Sequence, residues 1–163
     1  MRKIKIFGKN YMVIEQKSKR NLVQAKGNKI FIESYKKSAE SLLKEYLSDC
    51  LYSELFNIYD GVRDDGKVDV FGNLDFEIVE KIDNKKQRLA KLDGNKILVK
   101  LSAVALPNSA LKYMFAHEIA HIFTKRHTKR FWKIVEAICP NFKLGQNLLM
   151  KYESVLCNSF EDT

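Results

Sequence analysis

The sequence predicts a single α+β domain whose strand-rich N-terminal half and sheet pack on a buried helix, followed by further C-terminal helices. Three observations carry this. Short alternations of apolar and polar residues, broken by Gly-Asn and Asp-Gly, occupy 1–35 and 66–103, the pattern of half-buried strands. Apolar residues recur at helical spacing over 38–59. Over 109–124 they cover nearly every face, which marks a buried helix. At 163 residues, of which 45% are hydrophobic, the chain can build one real core.

Taken in order, Ile4 and Ile6 alternate, Gly8-Lys9-Asn10 can turn, and Tyr11 and Val13 alternate again. Gly27-Asn28 then separates Leu22-Val23 from Ile30-Phe31-Ile32. The stripe Leu42/Leu43, Tyr46/Leu47, Cys50/Leu51 and Leu55/Phe56 forms the core face of a helix stopped by Asp60-Gly61. Strands return at Val68/Val70 and at Leu74/Phe76/Ile78. Asp93-Gly94, lying between Leu89…Leu92 and Ile97/Val99/Leu101, is a hairpin signal. Pro107-Asn108-Ser109 supplies a stop and an N-cap for the helix over 109–124. The region 128–156 holds the C-terminal helices, one from Thr128 to Cys139 ended by Pro140 and a last one near 144–156.

Composition narrows the function classes. The charged start, Met1-Arg2-Lys3-Ile4-Lys5, contains no apolar signal region, and no apolar run approaches the ~20 residues that span a bilayer. Cys50, Cys139 and Cys157 are odd in number and widely spaced, which reads as buried thiols in a reducing, cytoplasmic compartment. The net charge is +9, and residues 1–30 account for most of it, with nine Lys/Arg against Glu15 alone. A second basic cluster contains Lys125, Arg126, Lys129, Arg130 and Lys133. Such clusters are either solvated surface or attract phosphate, nucleic acid or another polyanion.

All three histidines fall within eleven positions, His117-Glu118-Ile119-Ala120-His121 and then His127. On a helix, residues four apart lie about 40° from one another, so His117 and His121 share a face and can both reach one Zn²⁺ or another divalent transition ion. Glu118, one step round, can face a water on that ion as a general base without being a ligand. On an unbroken helix His127 would lie about 240° round from His121. It can be the third ligand only if the helix stops and the chain turns back. Polar Thr124-Lys125-Arg126-His127-Thr128 suits such a stop, and Thr128 can cap a new helix. The gap from His121 to His127 equals that of the H-E-x-x-H-x-x-G-x-x-H pattern, with Thr124 in place of its glycine.

The run Phe115-Ala116-His117-Glu118-Ile119-Ala120-His121, continued by His127-Thr128-Lys129-Arg130-Phe131-Trp132, resembles the YgjP-like family of metal-dependent hydrolases. Val135-Glu136 and Cys139-Pro140 extend the likeness, and DNA-associated proteases of the SprT type are more distantly similar. The resemblance implies a small zincin-like fold, zinc held by His117, His121 and His127, and a catalytic Glu118. It makes Arg130, Phe131 and Trp132 positions that set the third ligand, although Phe131 and Trp132 read more simply as packing on the sheet. The family carries a W-G-S-C segment where Leu89-Ala90-Lys91-Leu92 stands here, so one wall of the site differs.

Three protein ligands leave a tetrahedral ion one open position, the mark of a catalytic site. The expected activity is that of a metallopeptidase acting on a peptide or protein. A nucleotide phosphoanhydride is the second candidate substrate, with Arg126 and Arg130 as anion contacts. From another class comes a nucleic-acid- or protein-binding module around a structural zinc, which needs a fourth ligand; Cys139 is the nearest candidate. A metal site without turnover, serving interaction alone, is a further alternative.

Overall fold

The computed structural model describes residues 2–66, 74–82 and 88–159, with side chains to Glu153. Strands β1 (Arg2–Ile6) and β2 (Lys9–Lys17) form a hairpin through Phe7 and Gly8, both at positive φ. Two successive positive-φ residues match the right-handed twist of the strands. The turn lies earlier than Gly8-Lys9-Asn10, because Lys9 and Asn10 already pair with Ile6 and Lys5. β3 (Leu22–Lys26) and β4 (Lys29–Ser34) follow, joined at Gly27 (φ 60°). The sheet order is β1-β2-β4-β3, with β4 parallel to β2 and antiparallel to β3.

Helix α1 (Ala39–Asp65) begins at Ser38, whose Oγ accepts the Ser41 N–H at 3.1 Å. It runs through Gly61, where the sequence placed a stop. Val62 is buried and continues the core stripe of Leu51, Leu55 and Ile58, so packing outweighs the roughly 1 kcal/mol that an interior glycine costs. Termination falls to Gly66, at φ 67°, whose N–H bonds the Arg63 carbonyl.

A second sheet contains β5 (Asp75–Val79), β6 (Ala90–Asp93) and β7 (Lys96–Lys100), in the order β5-β7-β6. The predicted β6–β7 hairpin is present, with Gly94 at φ 64° in its turn. The strand expected at Val68/Val70 lies outside the described residues. The last strand ends at Lys100 rather than near 103, and Leu101–Ala105 form a 3-10 helix. Ala103, Val104 and Ala105 are all buried, so the alternation a strand needs is lost. The bend lets the Val104 and Ala105 carbonyls accept the Phe7 and Gly8 N–H groups at 2.7 and 3.0 Å, which ties the first hairpin to the second half.

Helix α2 (Asn108–Phe123) starts at Pro107, and no Asn or Ser side chain caps it. Instead the Pro107 carbonyl accepts the Ala110 and Leu111 N–H groups. α3 (Lys129–Ile138) is capped by Thr128 as expected, its Oγ1 accepting the Phe131 N–H. α4 (Phe142–Ser159) is longer than predicted at both ends. One continuous core joins both sheets to α1, α2 and α3. Among the described residues, no helix is long and apolar enough to cross a membrane.

α4 lies so close to α2 that only glycine fits at position 145. A Cβ there would sit 2.5 Å from the Ser109 carbonyl oxygen and 2.7 Å from Tyr113 Cβ. Gly145→Ala is therefore expected to lower stability by roughly 1–3 kcal/mol as α4 is pushed off α2. Gly61→Ala meets nothing within 4 Å and is expected to raise it by about 0.5–1 kcal/mol. Urea unfolding of the two variants checks the opposite signs; equal effects would remove the close approach as the reason for Gly145.

Candidate metal centre

α2 is buried along most of its length, yet it carries His117, Glu118 and His121. Polar groups at such positions need partners. His117 and His121, one turn apart, both face the chain that returns after Phe123. Thr124 makes this return without glycine. Its backbone is extended (φ −153°, ψ 133°), while its N–H still bonds the Ala120 carbonyl at 3.1 Å. The Arg126 carbonyl then accepts the Thr128 N–H at 2.9 Å, closing a tight turn that brings His127 back over α2.

One ligand atom from each of His117, His121 and His127 lies within 4.8 Å of the others. The His121 Nδ1–H donates to the Thr124 carbonyl at 3.3 Å, which leaves Nε2 as a bare acceptor. The His127 Nε2 is 3.3 Å from it. Two imidazole nitrogens aimed at one point in this way suit a shared cation, and an all-nitrogen donor set suits a divalent transition ion. Burial, followed by the neighbouring His117, holds the His121 imidazole below the usual histidine range, which favours the neutral form that ligates.

Phe131 belongs to the core and also packs against this group. Its ring centroid is 5.1, 4.8 and 4.5 Å from those of His117, His121 and His127, and it is completely buried. Trp132 stacks on Phe142 and meets Phe131 edge-on. Phe131→Leu is expected to cost about 1–1.5 kcal/mol in denaturant unfolding, because volume is nearly kept while the aromatic contacts are lost. Loosened imidazoles should also hold metal less tightly; an unchanged affinity would separate the ring from the ligand geometry.

Glu118 is buried beside the histidines. Its Oε2 accepts the Leu92 N–H of β6 at 2.9 Å, and its Oε1 lies 3.6 Å from His117 Nδ1. Leu92 belongs to the segment that differs from W-G-S-C, but the contact comes from its backbone and does not depend on the side chains replaced there.

A cavity of about 240 Å³ opens from His117 and Glu118. Arg88, Tyr113, Gln146 and Glu153 add polar groups to its lining, and Leu89 and Leu149 add apolar wall. Burial pushes the Glu153 carboxyl above its ordinary range, partly offset by Lys100 and His117. Burial likewise raises the Tyr113 phenol, which hydrogen-bonds Gln146. Sequence reasoning missed these residues. Tyr113 lies one turn before His117, a legible signal, but Gln146 and Glu153 reach the cavity only because α4 folds back along α2.

Arg126 and Arg130 are exposed, on the returning turn and the first turn of α3, and neither lines the cavity. Cys139 is buried in the core and is not among the grouped ligands. Its thiol is pushed up by burial, which disfavours the thiolate a metal needs. Among the described residues no fourth side chain completes the group.

Residues 80–152 match the family model described as YgjP-like, metallopeptidase domain. The segment that carries the three histidines, Glu118 and the cavity wall from β6 is thus similar to metallopeptidases, and the match supports a metal-dependent hydrolase at that level. No curated protein and no solved structure matches the chain.

Proposed function

We propose, from the metallopeptidase match over residues 80–152, that the chain is a zinc-dependent peptidase. The observation that carries this reading is the convergence of three imidazoles beside a buried carboxylate at the mouth of a cavity. His117, His121 and His127 would hold the ion. An ion held there would lower the pKa of a coordinated water to about 7 and would polarise the carbonyl under attack.

The chain's own groups supply the rest. Glu118 takes the proton of the attacking water and returns it to the leaving nitrogen. The Leu92 N–H fixes the direction of that carboxylate, and the Thr124 carbonyl fixes the His121 tautomer. β6 is a sheet edge at the cavity wall, where an extended peptide can lie alongside it.

The charge of the cavity favours a peptide over a nucleotide phosphoanhydride. Its charged lining holds two carboxylates, Glu118 and Glu153, and one cation, Arg88, a poor balance for a polyphosphate. A structural zinc finds no fourth ligand among the described residues.

X-ray absorption at the zinc edge, combined with mass spectrometry of a peptide mixture, tests the proposal. Three imidazole nitrogens and one oxygen, with cleavage lost to a chelator and restored by zinc, are the expected result. A sulfur neighbour at about 2.3 Å would instead mean a closed, structural site.

A further inference from the structure

The first sheet has two faces, and only one is absorbed by the core. Ile4, Ile6, Tyr11, Val13, Ile30 and Ile32 face inward, and all join the core or pack against it. Residues paired across a sheet share a face, and neighbours along a strand alternate. The register therefore puts Lys3, Met12, Lys29 and Lys26 in one row across all four strands of the outer face. The next row is Ile14, Phe31 and Gln24, and the one beyond is Gln16, Glu33 and Leu22. Met12, Ile14 and Phe31 are only half-buried and lie outside the core, although Val13 and Ile30 beside them are almost wholly enclosed.

Among the described residues, the unpaired charge on this face has one sign. Glu33 is paired with Arg20 at 2.9 Å, whereas no carboxylate among the described residues pairs with Lys3, Lys26 or Lys29. A row of lysines without an acidic partner among the described residues thus borders a partly exposed aromatic ring on a central strand, with Gln24 and Gln16 alongside.

We infer that this face binds single-stranded nucleic acid, with phosphates on the Lys3-Lys29-Lys26 row and an unstacked base on Phe31. Lysines on a backbone track and an aromatic platform are the two elements that such binding needs, and side-chain amides can reach base edges. A duplex hides its base faces and leaves Phe31 without a partner. An acidic polypeptide would use the lysines but not the ring. The inference is independent of the metal centre, which lies in the other half of the chain.

The test is fluorescence anisotropy of a labelled oligothymidylate of roughly 20 nucleotides with the full chain, across a salt series and in the presence of a chelator. Saturable binding is expected. Phe31→Ala should weaken it roughly tenfold or more. The exposed pair Lys26→Gln and Lys29→Gln, which leaves the core untouched, should reduce the log–log salt slope by about 1.4. Absence of saturable binding, an unchanged salt slope in the lysine pair, or equal competition by duplex or polyglutamate would overturn the inference. So would full affinity in a Phe31→Ala protein whose circular dichroism is native. Should that variant unfold, the lysine pair and the competitors decide.

Discussion

Glu118→Gln is expected to lower the rate of peptide hydrolysis by about 10³-fold, within the 10²–10⁴ that a positioned general base contributes, while zinc stoichiometry stays at the wild-type value. The substitution isolates proton transfer. The glutamine amide oxygen can still accept the Leu92 N–H that Glu118 Oε2 accepts at 2.9 Å, so the side chain remains held. It also stays outside the three-histidine group and leaves the donor set intact. What it loses is the basic oxygen that takes a proton. Single-turnover cleavage with metal analysis of the same sample reads both quantities. A variant that retains zinc and cleaves at the wild-type rate would remove Glu118 from the reaction, whatever the metal does.

How much of this was legible in the sequence depends on how local each signal is. The spacing His117-His121-His127 encodes its own geometry, because a helix fixes the first pair and a helix stop is needed for the third. The alternating strands, the Asp93-Gly94 hairpin and the Thr128 cap are local in the same way. Position 61 shows the limit. A glycine there resembles a helix stop, but the burial of Val62 beyond it overrides the local preference. The histidine contacts of Phe131 were hidden for a similar reason, since a large apolar residue is drawn to any core, and only the fold decides that this one also lies against three imidazoles. Glu153 was invisible because its position follows from the close contact of α4 with α2 at Gly145. The outer face of the first sheet needed the β2–β4 register, which no single strand reveals.

His127→Ala should reduce zinc affinity by more than the roughly 10–100-fold that loss of a supporting hydrogen-bond partner costs, because it removes one of the three imidazoles proposed as donors. The position suits the test. His127 is exposed, outside the core and on the returning turn, so the metal-free variant should unfold within about 0.5 kcal/mol of wild type. Any larger effect must come through the ion. An ion that binds only the folded chain adds RT ln(1 + [L]/Kd), about 4 kcal/mol at a thousandfold excess over Kd. Zinc should therefore raise the unfolding temperature of the wild-type chain strongly and that of His127→Ala little. Glu118→Gln, which keeps all three imidazoles, should respond as wild type does. A His127→Ala protein with the full zinc-induced shift would show that His117 and His121 hold the ion without it, and the turn at Thr124 would need another explanation.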